Sequence, residues 1–204
     1  MIGPGFFLVG LDLGQKGDAT AIAVMEQWVE PLGGVSYVTY EPLTKRRLDV
    51  RHLMRVPLGT PYPEVVEMTC DLVRTPGLHK NCLLVVDETG VGAPVIDVFR
   101  KAPLDCHMIP VTITGGDQET RGPRSYRVPK RDLVTGLQVL LEQEELRIPK
   151  NLCGGQDLVK ELMSMQVRVS ESGHDSYGAL RSGDHDDLVL ALALACWGRR
   201  FGRY

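Results

Sequence analysis

Residues 6–14 read FFLVGLDLG. An apolar run bracketed by glycine predicts a β-strand over Phe6–Gly14, with successive side chains on opposite faces. Gly10, Asp12 and Gly14 then share one face, and Val9, Leu11 and Leu13 share the other. A carboxylate inside an apolar strand is costly to bury unless something compensates it. Here its same-face neighbours are glycines, which would leave room for an ion or a phosphate. The plainer alternative is an aspartate near a strand end that bonds turn amides.

Working outward, the turn-like Gln15–Asp18 leads into a second β-like run at Ala19–Val29. The alternating VSYVTYE of Val35–Glu41 predicts a third strand, and the three together suggest an antiparallel meander. A polar stretch with Lys45, Arg46 and Arg47 follows. Pro61–Arg74 reads as a helix, with Pro63 in its first turn and Val65, Met68, Thr69 and Leu72 on its inner face. Asn81–Asp87 is a short continuous apolar run of the kind buried in parallel sheets. A helix over Ala93–Lys101 and a strand over Cys106–Ile113 come next. Thr114–Pro129, rich in Gly and Arg, is either a mobile loop or a small hairpin. Helices are expected at Pro129–Glu145, Gln156–Met165 and Asp186–Arg200, the last apolar almost all round at its start and hence buried. The fold class is α/β: a mixed central sheet, antiparallel meander plus parallel strands, flanked by helices in one domain over residues 1–204.

Composition is that of an ordinary globular protein. No apolar run reaches the roughly 18 residues that span a membrane, so no membrane partner is expected. The N-terminus lacks a basic region and runs straight into a patterned strand, so it is not read as a signal peptide. Five scattered cysteines without C-x-x-C spacing suggest a reducing compartment and no zinc site. A net charge of -3 argues against coating nucleic acid by bulk charge, yet allows local basic patches beside an acidic site.

Two further acidic positions stand out. Asp87 closes the run LLVV, and ligands of open α/β sheets collect at the carboxyl ends of parallel strands. Glu88 points to the opposite face if the strand continues and is the fallback; Asp87 merely capping the next helix is the alternative. Gly183–Asp187 (GDHDD) precedes the final helix. One aspartate there would be an ordinary cap. Several acids at the mouth of a buried Ala/Leu helix exceed that need. Asp186 and Asp187 diverge by about 100° around the helix, so they can serve two ions, or one ligates while the other caps. Hard carboxylate oxygens without Cys or His spacing favour Mg²⁺ or Mn²⁺ over Zn²⁺. Convergence of Asp12, Asp87, Asp186 and Asp187 would suit two ions and an in-line phosphoryl displacement.

Asp12 in GLDLG, Asp87 in VVDETGVG, and HDDLVLALALA at residues 185–195 follow the order used by RNase H-like nucleases. The set resembles the C-terminal nuclease domain of tailed-phage terminase large subunits. Arg127–Leu133 (RVPKRDL) is similar to that family's V-P-K-x-x-L helix start, and Leu158–Leu162 matches further on. The resemblance covers nearly the whole chain, and the HDD helix is its most specific part. It implies endonucleolytic cleavage of double-stranded viral DNA during genome packaging in the cytoplasm of a host bacterium. Two Mg²⁺ or Mn²⁺ ions would be held by the four aspartates. It also implies a packaging ATPase motor, a small terminase subunit and a portal as partners. These residues contain no G-x-x-x-x-G-K-[ST] phosphate loop, so ATP-driven translocation is not assigned to them.

Three basic groups are candidates for DNA contact: Arg46, Arg47, Arg51 and Arg55; Arg121, Arg124, Arg127, Lys130 and Arg131; and Arg199, Arg200 and Arg203. Solvated surface charge is the default for each. The middle group is the exception, combining flexibility, arginine density and a helix start suited to phosphates. Lys130 is its best candidate, with Arg124, Arg127 and Arg131. His185 either orients a carboxylate or water, or is structural. The rival readings are a Holliday-junction resolvase with the same acids, a sugar-kinase-like phosphotransferase, for which the chain is too short, and a non-catalytic RNase H-like module.

Overall fold

The computed structural model describes residues 5–14, 17–90, 92–169, 175–179 and 185–202. Gln15 and Lys16 of the expected turn, Gly183, Asp184 and Arg203 lie outside them. Strand β1 (Phe6–Asp12) pairs antiparallel with β2 (Ala21–Val35), and β2 pairs antiparallel with β3 (Pro42–Arg55). On its other side β1 runs parallel to β4 (Cys82–Asp87), which is parallel to β5 (His107–Thr114). The eight-stranded order, with β6 (Thr120–Arg121), β7 (Tyr126–Pro129) and β8 (Leu146–Arg147), is β6-β7-β5-β4-β1-β2-β3-β8. A separate hairpin joins β9 (Met165–Val169) and β10 (Asp175–Ala179). This is the mixed sheet expected from the sequence.

Helices cover both faces. α1 (Tyr62–Val73) and α2 (Gly92–Lys101) pack on one, against Val9, Leu11, Ile22, Leu84 and Val86. α3 (Lys130–Glu142), α4 (Gly155–Ser164) and α5 (Asp187–Gly198) cover the other, against Leu8, Ala21, Ala23, Leu83 and Val85. Alternation along β1 and β4 therefore turns Asp12 and Asp87 toward the α5 face. No helix among the described residues is long and apolar enough to cross a membrane.

The third strand is displaced from its expected place. Ser36–Tyr40 forms the turn of a long hairpin, and β3 is the polar stretch that follows. Ser36 Oγ accepts from the Val38 and Thr39 amides, and Tyr40 adopts φ +57°. Alternation in VSYVTYE has no core to face: Tyr37 is 97% exposed and Val38 87%. The basic strand instead buries Leu48, Val50 and Leu53 while its arginines find acids. Within Thr114–Pro129 the hairpin alternative is found, as β6 and β7, with β7 extending the sheet beside β5. β8 lacks a local signal, since two residues carry no periodicity, whereas MQVRV in β9 does alternate.

The buried helix α5 crosses β1 at very short range. A side chain at Gly10 would overlap the Ala191 carbonyl, and one at Gly14 would overlap the Asp18 backbone. The two glycines flanking Asp12 thus admit protein backbone; they do not clear space for an ion or phosphate as the sequence suggested. Close approach at Gly10, Ala191 and Ala195 sets where the first turn of α5 meets the end of β1.

A carboxylate cluster at the strand ends

Asp12 ends β1 and Asp87 ends β4, its parallel neighbour, and both are buried at 8% and 6% exposure. Asp187 opens α5 and is 5% exposed; Asp186 precedes it, half-buried. The four acids come together. Burial pushes the Asp12 carboxyl well above the ordinary carboxylate value, and the charges of Asp87, Asp187 and Asp186 push it further. The Asp87 carboxyl lies close enough to Asp12 to add to the rise there. Asp87 is raised by burial, opposed by hydrogen bonds from the Thr89 hydroxyl and amide. Asp187 is raised by burial too, opposed by His185 and Arg55.

Glu88 is outside this group. It accepts from Thr112 Oγ1 at 2.8 Å, on the far side of β4 from the aspartates. Thr89 holds Asp87 in a local turn, so its role is not that of a helix cap. The Asp186 side chain makes no capping hydrogen bond either; it accepts from Lys130 Nζ at 2.6 Å. His185 Nδ1 stands 3.6 Å from Asp187 Oδ2, with half of its side chain exposed.

Two further residues border the acids, and the sequence linked neither to them. Arg55, Ala21 and Asp12 lie in one cross-strand row. The small Ala21 lets the Arg55 guanidinium reach over it to Glu161 and toward Asp187. Arg55 was grouped with solvated charge because β3 was not recognised as a strand. Glu161, 5% exposed, did leave a signal: an acid on the apolar stripe of α4, three residues after Leu158.

The remaining basic candidates separate. Arg131 pairs with Asp117 and Asp132, whereas Arg124 and Arg127 are exposed. Arg47 pairs with Glu30, and Arg51 with Glu26 and Asp49. Arg199 pairs with Glu145, and Arg200 pairs with Glu119 while stacking on Trp197.

The donor chemistry fits a hard divalent ion. The oxygens are carboxylates, they crowd one another, and Asp187 Oδ2 is buried with no hydrogen-bond partner among the described residues. Among the described residues no group of three or more His, Cys, Asp or Glu side chains is arranged so as to hold a metal ion. Asp186 is drawn to Lys130, and Asp187 faces Arg55 and His185.

A mixed sheet covered on both faces, with acids at the ends of two central parallel strands and at the mouth of a buried helix, gives the chain an RNase H-like fold. Within that class the chain has the fold of terminase large-subunit nuclease domains. It superposes on a variant of the nuclease domain of gp2, the large terminase subunit of bacterial virus Sf6, solved with manganese and beta-thujaplicinol. The TM-score is 0.64 at 16% identity, over 94% of this chain and 88% of that one. Against the large terminase nuclease of thermophilic phage G20c with bound magnesium, the TM-score is 0.62 at 19% identity, over 96% and 82%. Against the large terminase of bacteriophage HK97 it is 0.58 at 13% identity, over 95% of this chain and 39% of that longer one. No protein-family model and no curated protein matches the sequence.

Proposed function

We propose that this chain is a divalent-metal-dependent DNA endonuclease of the terminase large-subunit type, cutting double-stranded DNA during viral genome packaging in the host cytoplasm. The observation that carries the reading is the crowding of Asp12, Asp87, Asp186 and Asp187, in which three neighbouring charges add to burial in raising Asp12. Such crowding works against folding unless the site binds cations. Asp12, Asp87, Asp186 and Asp187 would hold two Mg²⁺ or Mn²⁺ ions. When bound, these ions supply the Lewis acidity that activates water and stabilises the departing 3′ oxygen.

The rest is done by the chain's own residues. Thr89 fixes the Asp87 carboxylate. Lys130 partly neutralises Asp186 and would meet a phosphate brought to the acids. Arg124 and Arg127, exposed on the β6–β7 hairpin that leads into α3, would meet the DNA backbone, with Arg131 next to them. Phosphate contacts of this kind give salt-sensitive binding with little sequence preference. The fold would serve as one nuclease domain alongside a packaging ATPase, a small terminase subunit and a portal.

Cleavage of linear, supercoiled and four-way-junction DNA side by side in Mn²⁺ tests the assignment. Cutting of linear and supercoiled duplex is expected. Cutting confined to the junction would turn the reading to a resolvase, and no cutting of any substrate would leave a non-catalytic module.

A further inference from the structure

Helix α5 begins without a cap of its own, since the Asp186 side chain bonds Lys130 instead of the helix amides. The first-turn N–H groups of a helix need partners from elsewhere, and at a buried helix end water is not at hand. One is found across the fold: the Val189 N–H donates to Glu161 Oε2 at 3.1 Å in a buried contact. The other Glu161 oxygen accepts from the Arg55 guanidinium. Arg55 Nε stands 3.7 Å from Asp187 Oδ2, and both atoms are buried without a hydrogen-bond partner among the described residues.

The geometry points to Glu161 as the cap of α5 supplied in trans from α4, and to Glu161 with Arg55 as the pair that positions Asp186 and Asp187. Aspartate is among the best capping residues, and a capping aspartate commits its oxygens to backbone amides. With a helix amide served from α4, Asp186 and Asp187 keep their carboxylates off the backbone amides and turned toward Lys130, Arg55 and His185. The longer glutamate spans the gap between the helices. Arg55 compensates its buried charge and orients it, through two groups contributed by β3 and α4. This assignment rests on the reading of the aspartates as metal ligands.

The full-length chain carries the test, through Glu161→Ala, Glu161→Gln and Arg55→Lys. Two quantities are read: hydrogen exchange of the Val189 amide by NMR, and Mn²⁺ affinity by electron paramagnetic resonance. In Glu161→Ala, Val189 should exchange about fivefold faster, the factor matching a lost cap of ~1 kcal/mol. Mn²⁺ affinity should fall by about 10- to 100-fold, as when other outer partners of metal ligands are removed. Glu161→Gln keeps an acceptor for Val189 but loses the charge facing Arg55. It should restore amide protection and recover only part of the affinity. Arg55→Lys keeps the charge, loses the planar fork, and should weaken Mn²⁺ binding with Val189 still protected.

A merely structural Glu161 would lower the melting temperature and leave Mn²⁺ affinity of the folded protein unchanged, which overturns the proposal. Unchanged Val189 exchange in Glu161→Ala also overturns it. If Glu161→Ala does not fold, wild-type affinity in both Glu161→Gln and Arg55→Lys does so. Wild-type protein that binds no Mn²⁺ would instead remove the metal reading, and the trans cap would then be decided by Val189 exchange alone.

Discussion

The strand-end aspartates and the arginines of β3 are two dense groups of like charge, and they are treated in opposite ways. On β3, Arg47 meets Glu30, and Arg51 meets Glu26 and Asp49. Both of these arginines have an acid on a neighbouring strand or two residues along their own. At the ends of β1 and β4, acids face acids. Asp12 has three carboxylates as its charged neighbours, and the nearest cations, Lys130 and Arg55, serve Asp186, Asp187 and Glu161. Paired charge is what solvation and folding alone would arrange. Unpaired buried charge of one sign is held against its own cost, so it points to a ligand of opposite sign.

The largest expected effect is on the unpaired side. Asp12→Asn should cut DNA cleavage by about a thousandfold or more, since residues acting as one unit fail together. The same change should raise the melting temperature of the metal-free protein, because it removes repulsion from Asp87, Asp187 and Asp186. A gel assay and calorimetry read the two arms. A fully active, destabilised variant would erase the contrast between the two charge groups.

Chelation comes next. EDTA should abolish cleavage, and Mn²⁺ should raise the melting temperature of wild type much more than that of Asp12→Asn. Cleavage that persists in excess EDTA would sink the two-ion reading.

Lys130 lies between the two regimes, a cation at the edge of the acid group. Lys130→Ala should slow cleavage by about 10- to 100-fold, the scale of losing one charged group at a phosphoryl site. Lys130→Glu should in addition weaken DNA binding at low salt. Fluorescence anisotropy at two salt concentrations checks this; unchanged binding in the glutamate variant removes Lys130 from the DNA interface.

A smaller effect concerns pH. The folded protein holds the Asp12 proton above the ordinary carboxylate value, so it binds more protons there than the unfolded chain. That contribution is complete below the unfolded value and is lost as pH rises through the raised one. Without metal, the melting temperature should therefore fall as pH rises above the ordinary carboxylate range, and Asp12→Asn should flatten the slope. A metal-free wild type that gains stability over that rise would contradict the burial argument.

The smallest effect belongs to the paired side. Arg51 is 43% exposed at its side chain and pairs with Glu26 and Asp49. Arg51→Ala should cost less than about 1 kcal/mol by urea denaturation, with cleavage within about twofold of wild type. A loss of cleavage near that of Lys130→Ala would make β3 part of the functional surface.

Much of this was legible in the chain itself. The glycine-bracketed apolar run of β1, the continuous apolar run of β4 and the apolar final helix identified the sheet and its buried partner. The sequence singled out Asp12 and Asp87 as strand carboxylates, and the structure brings them to one face with Asp186 and Asp187 beside them. Local periodicity and burial cost act over a few residues, so a sequence records them directly. Where the local pattern misled, at Val35–Glu41, alternation existed without a core to receive it, and only packing shows that.

Tertiary structure decided the rest. Glycines beside Asp12 looked like space for a ligand and turned out to admit the backbone of α5 and of Asp18–Ala19. Lys130, a DNA-contact candidate from the sequence, has Asp186 as its partner in the fold. Arg55 looked like solvated charge and reaches Glu161, 106 positions away in the chain. The partner of a charge is fixed by where the sheet register and helix packing carry it, and no local pattern encodes a pairing at that separation. The sequence thus determined which acids the protein has and which strand ends bear them; the fold determined which of them remain unpaired.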